Sequence, residues 1–136
     1  MSRSVCTILK ESRNIAVLGI SDKPDRDSGK IALFLKSRNY NVVGIHPVIK
    51  NVEDIPVYAS MKDIPVEIDI LDVFVNGDRL EPVLNDIIAL KPKTVWYQLG
   101  VHNDSVAKAL EQNGIEVIQD CCIAIEYRHC SNSNNL

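Results

Sequence analysis

The residues best suited to do chemistry lie in one segment, Gly19-Ile20-Ser21-Asp22-Lys23-Pro24-Asp25-Arg26-Asp27-Ser28. Gly19 permits a sharp turn and a close backbone approach. Ser21 offers a hydroxyl, and Lys23 and Arg26 offer cations. A helix opening near Ser28 adds free N–H groups and the positive end of its dipole, which together favour phosphate. The same Gly, Pro, Ser and Asp content also makes an ordinary solvated turn, so composition leaves both readings open. The glycine-rich dinucleotide fingerprint is broken here: counting from Gly19, its second and third positions hold Ser21 and Pro24.

A second candidate lies at Ile45-His46-Pro47, with Lys50 close behind. A nicotinamide-binding sheet ends its second strand in a carboxylate for the ribose hydroxyls, and none stands here. A nearby cation suits an extra ribose phosphate, as in NADP or coenzyme A. A solvated surface lysine is the plainer reading of Lys50.

Thiols and metals give less. Cys121 and Cys122 are adjacent, a poor geometry for a disulfide. With Cys6 and Cys130 they fit no zinc spacing. The expectation is a reduced, cytoplasmic protein with free thiols and no metal. His46, His102 and His129 stand alone, and no Ser/His/Asp set has informative spacing. Asp72, among apolar neighbours, is expected either to hydrogen-bond a loop or to be partly exposed. Trp96 and Tyr97 read as core or as a dimer face.

The elements that must position these residues alternate. Apolar runs at Asn14–Ile20, Asn41–Ile45, Ile68–Val75, Thr94–Leu99 and Ile115–Ile118 read as strands. Helical spacing predicts helices from Ser28 to Asn39, Arg79 to Leu90, Asn103 to Asn113 and Ile123 to His129. Asp27 or Ser28 would cap the first of these, and Pro82 falls in the first turn of the second. Val48–Pro65 reads as a weakly structured connector, with one helical turn at Ser60–Asp63. Alternating strands and helices predict an α/β fold: a doubly wound, Rossmann-like, parallel sheet of about five strands with helices on both faces. On such sheets ligands bind at the carboxyl ends of the strands. Residues 1–13 read as an N-terminal helical extension, 14–130 as the domain and 131–136 as a disordered tail.

The chain has 136 residues and a formal net charge of −3, which argues against bulk-charge nucleic-acid binding. The sum hides an asymmetry: residues 1–50 hold nine Lys/Arg against four Asp/Glu, and residues 51–136 hold six against fourteen. Lys23, Arg26 and Lys50 belong to the basic part, as do Arg3, Lys10 and Arg13, which read as solvated surface. No stretch reaches the roughly 18 apolar residues of a membrane span.

Five motifs in order then match a known pattern. They are Gly19, Ser21, Lys23, Pro24, Arg26 and Ser28; Pro47; Asp72-Val73-Phe74; Trp96, Gln98, Leu99, Gly100, Val101 and Asn103; and Asp120, Cys122, Ile125 and Glu126. On these, from about Asn14 to Glu126, the chain resembles the small bacterial and archaeal coenzyme A-binding proteins. These are similar to the N-terminal domain of the succinyl-CoA synthetase α-subunit. Three positions depart: Cys121 stands for a usual Arg, Val75-Asn76 for a basic pair, and His46 for an Asn.

The resemblance implies a stand-alone module that binds coenzyme A or an acyl-CoA without catalysis of its own. The pyrophosphate would lie over Gly19, Ile20 and Ser21. Lys50 or Arg26 would pair with the 3′-phosphate. Pro47 and Phe74 would flank the adenine, His46 would bind phosphate or polarise a group unless it is a plain loop residue, and Asn76 is counted among the cofactor-binding residues. Gln98, Leu99 and Gly100 would line the pantetheine arm, and Cys122 would offer a thiol near its end. Missing basic residues put the phosphate contacts on Lys23, Arg26 and Lys50. A regulatory or scaffold subunit sensing coenzyme A for a partner is the alternative, and an NADP-dependent oxidoreductase ranks below both. The partner expected is a small molecule, not nucleic acid or membrane, and the sequence leaves room for a homodimer.

Overall fold

Ile15, Ala16 and Val17 are fully buried, and Leu18 nearly so, in β1 (Asn14–Leu18). A strand apolar on both faces belongs at the centre of a covered sheet. The computed structural model, which describes residues 3–136, places it there. β1 pairs in parallel with β2 (Asn41–Ile45) on one side and β5 (Ile70–Val73) on the other. Leu18 aligns with both Ile45 and Val73, so three strands end level. β6 (Thr94–Tyr97) and β7 (Glu116–Ile118) extend the sheet beyond β5.

Among the described residues the sheet has seven strands rather than about five, with two more strands beyond β2 in the row β2-β1-β5-β6-β7. The extra pair comes from the segment expected to be a loose connector. β3 (Asn51–Val52) and β4 (Ile55–Tyr58) form a hairpin, and β4 pairs in parallel with β2. Val52 and Ile55 are buried opposite each other. Glu53 makes the turn at φ 50°. A left-handed Glu carries no Gly or Asn turn signal, so the hairpin had no local signature.

Helices cover both faces. α1 (Val5–Glu11), α2 (Asp27–Ser37) and α5 (Ile123–Asn132) pack on Ile15, Val17, Ile70 and Trp96. α3 (Leu84–Leu90) and α4 (Asp104–Gln112) pack on Leu71, Val73, Val95 and Tyr97. Trp96 and Tyr97 are fully buried, so they offer no dimer face.

The long helix expected from Arg79 is shorter. Gly77–Arg79 and Glu81–Val83 are 3-10 turns, and α3 begins only at Leu84. Pro82 lies in the second turn, where its missing N–H breaks no α-helical ladder. Met61–Asp63 is also a 3-10 turn, capped by the Ser60 hydroxyl. α4 starts at the expected Asn103 cap, whose side chain accepts from the Val106 N–H. α5 runs three residues past His129. Its polar end is bonded locally, with Ser133 Oγ donating to the His129 carbonyl at 2.9 Å.

The expectation of four free thiols is corrected by a Cys6–Cys130 disulfide. The two cysteines are 124 positions apart, yet α1 and α5 lie side by side and bring their Cα atoms to 5.6 Å. Nothing in the local sequence announced that packing. Arg3 is likewise no solvated residue: it pairs with Glu116 at 2.7 Å and Glu11 at 2.9 Å, fastening the chain start to β7. Met1 and Ser2 of the expected extension lie outside the described residues. No helix among the described residues is long and apolar enough to cross a membrane.

Candidate functional site

The level ends of β1, β2 and β5 open into a cleft of about 1170 Å³. It sits where the chain leaves β1 in one direction across the sheet and β5 continues in the other, the switch point of a doubly wound fold. Ten of the residues singled out from sequence line it. From the β1–α2 loop come Gly19, Ile20, Ser21, Lys23, Arg26 and Ser28, from the end of β2 come His46 and Pro47, and from the end of β5 come Phe74 and Asn76.

The loop is built to leave donors free. Gly19 sits at φ 85°, a left-handed conformation that favours glycine. A β-carbon there would stand 2.9 Å from Val75 Cγ1. The Lys23 N–H donates to Ser21 Oγ at 3.1 Å, which leaves the Ser21 hydroxyl proton available outward. α2 starts at Asp27, one residue before the expected Ser28, with Arg26 at the cap position and no side chain capping it. An uncapped helix start presents unsatisfied N–H groups. An anion there gains about 0.3–1 kcal/mol from the dipole at an exposed site.

Gly29 completes the loop and was missed in the sequence. A β-carbon on it would overlap the carbonyl oxygen of Ser21. The first turn of α2 therefore packs onto the loop at backbone contact. An isolated Gly inside a helical pattern was the available signal. Arg79, Ser60, Met61, Val83 and Asp86 also line the cleft and were not singled out.

His46 has a structural task. Its Nδ1 accepts N–H bonds from Val48 and Ile49, both at 3.1 Å, and its own N–H reaches the Tyr58 carbonyl at 3.0 Å. That Nδ1 is an acceptor, so it carries no proton toward a ligand.

Six expected residues do not line the cleft: Pro24, Lys50, Gln98, Leu99, Gly100 and Cys122. Lys50 is exposed beside the β3–β4 hairpin, and its carbonyl accepts from Val57. Pro24 is exposed within the β1–α2 loop, and the remaining four belong to a second cluster beyond the end of β6. Gln98 is buried, and its Oε1 accepts from the Ile123 N–H at 3.0 Å, fixing the start of α5. Leu99 is 66% exposed. Gly100 is left-handed at φ 86° with open space around it, and its N–H donates to Asp120 at 2.7 Å. Cys122 is half-buried at the cap of α5. Beside it, burial pushes the Cys121 thiol up, with Glu126 and Asp120 adding to the effect.

Asp72 meets neither expectation. It is fully buried, and neither carboxylate oxygen has a hydrogen-bond partner. Burial raises its pKa well above the ordinary carboxyl value. Among the described residues no group of three or more His, Cys, Asp or Glu is arranged to hold a metal.

Comparison with known proteins agrees with this architecture. Residues 13–128 match the model of the CoA binding domain. The YneT protein of Bacillus subtilis (strain 168) is 31% identical over 120 residues, covering 88% of this chain and 89% of that one. A solved protein of Thermus thermophilus is 31% identical at a TM-score of 0.88, covering 90% of this chain and 93% of its own. An acetyl-coenzyme A synthetase of Ca. Korarchaeum cryptofilum shares the fold at TM-score 0.68 and 20% identity. It covers 76% of this chain, which matches only 25% of the synthetase.

Proposed function

The chain belongs to the CoA-binding domain family, and from that premise we propose that it binds coenzyme A, or an acyl-CoA, in the cleft above β1. The observation that carries this reading is the β1–α2 loop. Gly19 in a left-handed turn, the free Ser21 hydroxyl proton and the uncapped start of α2 face one space beside Lys23 and Arg26. These are the donors a pyrophosphate needs. Pro47 and half-buried Phe74 border the same cleft and supply apolar surface for the adenine. Coenzyme A, when bound, supplies a thiol that carries acyl groups, and this chain's residues hold and orient it.

The pantetheine arm would leave the cleft toward Gln98, Leu99 and Gly100, with Leu99 as the exposed apolar contact. Gln98 acts through α5 rather than by touching the arm. On this reading the chain acts as a binding module without catalysis of its own. The NADP reading gains nothing from β2, which ends in Ile45-His46-Pro47 with His46 Nδ1 already engaged. A thermal-shift panel of coenzyme A, acetyl-CoA, NAD, NADP and ATP tests the assignment, because a ligand stabilises in proportion to the logarithm of its excess over Kd. Stabilisation by the coenzyme A forms is expected. A shift with NADP and none with any coenzyme A form overturns it.

A further inference from the structure

The cleft has two walls, and its cations are divided between them. Lys23 and Arg26 come from the β1–α2 loop, on the side of the sheet covered by α1, α2 and α5. Arg79 comes from the opposite side, where Leu80 and Ile87 anchor the chain after β5 among the residues packed with α3 and α4. Among the described residues it is the only Lys or Arg on that wall.

Its backbone is firmly held. The Arg79 N–H donates to the Asn76 carbonyl at 2.9 Å, and the next residue, Leu80, is fully buried. Two residues back, Gly77 is packed against the His102 carbonyl and accepts from Asn103 Nδ2 at 2.9 Å. The side chain, by contrast, is exposed and makes no ion pair among the described residues, although Asp86 lines the same cleft. A guanidinium on a fixed stem with unused donors matches a phosphate monoester, which it grips through two parallel hydrogen bonds.

We propose that Arg79 binds the ribose 3′-phosphate of coenzyme A and so sets the preference for coenzyme A over its dephospho form. This rests on the coenzyme A reading above and deepens it. With the pyrophosphate on the α2 side, the ribose phosphate is the remaining charge able to meet the facing wall. Of the two cations expected from sequence for this task, Lys50 does not line the cleft, and Arg26 stands on the α2 wall beside the pyrophosphate position.

The test is calorimetric titration of coenzyme A and dephospho-coenzyme A into the full chain, into Arg79→Ala, Arg79→Lys and Lys50→Ala. Wild type is expected to favour coenzyme A. Arg79→Ala should weaken coenzyme A about tenfold or more, the scale of a lost charge-assisted hydrogen bond, and leave dephospho-coenzyme A nearly unchanged. Arg79→Lys should restore part of the preference, and Lys50→Ala should keep all of it. An Arg79→Ala protein that weakens both ligands equally, or neither, overturns the assignment while leaving the coenzyme A reading intact. A wild-type protein that binds neither ligand overturns both.

Discussion

The carbonyl oxygen of Ser21 lies so close to Gly29 that a β-carbon at that position would overlap it. That contact seats the first turn of α2 on the loop that follows β1. It does for this chain what the last glycine of a dinucleotide fingerprint does elsewhere, at a different spacing. Gly29→Ala should therefore push the loop from the helix. Coenzyme A affinity is expected to fall at least tenfold, with a stability loss of about 1–3 kcal/mol from overpacking. Calorimetry and urea denaturation on the same variant read the two effects.

Gly19 gives a second, separable test. Its φ of 85° and the 2.9 Å approach to Val75 Cγ1 are distinct obstacles to a side chain. Gly19→Ala should cost about 1–2 kcal/mol of stability from the left-handed backbone alone. Adding Val75→Ala should relieve the steric part and recover some stability, while the strain on the left-handed turn that carries the donors remains. Coenzyme A binding is therefore expected to stay weak in the double variant, as measured by the same titration.

Much of this site was legible in the sequence, and the reasons are local. The β1–α2 loop announces itself because Gly19, Ser21 and the helix start are contiguous. The strands that end beside it are short apolar runs closed by Pro47 and by Phe74. What was not legible depends on distant packing. Arg79 lines the cleft from the end of a 3-10 turn, where the sequence pattern reads the start of a long helix. Gln98 reads as a ligand contact but is consumed by Ile123 across 25 residues. Cys6 and Cys130 meet because both chain ends fold onto one face.

Asp72 makes the folded protein sensitive to alkaline conditions. Its raised pKa comes from burial, and no partner compensates the charge. Above the ordinary carboxyl pKa the unfolded chain has released this proton and the folded chain still holds it. Stability attributable to Asp72 is therefore full below that value and falls as pH rises toward the folded pKa. Asp72→Asn, which cannot ionise, should lack this decline. Thermal denaturation of both proteins across pH 4 to 9 is expected to show the wild type losing ground to the variant as pH rises.

The Cys6–Cys130 bridge closes nearly the whole chain into one loop. Restricting so long a loop in the unfolded chain stabilises by about 2–5 kcal/mol. Dithiothreitol, or Cys6→Ser with Cys130→Ser, should lower Tm by several degrees. Coenzyme A affinity should remain within about twofold, because the bridge lies at the far end of α5 from Cys122 and Gln98. A thermal melt followed by titration of the reduced protein checks both parts.

Direct titration of the unmodified full chain asks most plainly whether the cleft above β1 takes coenzyme A. Coenzyme A and NADP are injected in parallel into the same preparation. The expected result is saturable heat at one coenzyme A per chain and none with NADP. Saturable binding of NADP with no heat from coenzyme A would contradict the assignment of this cleft to coenzyme A.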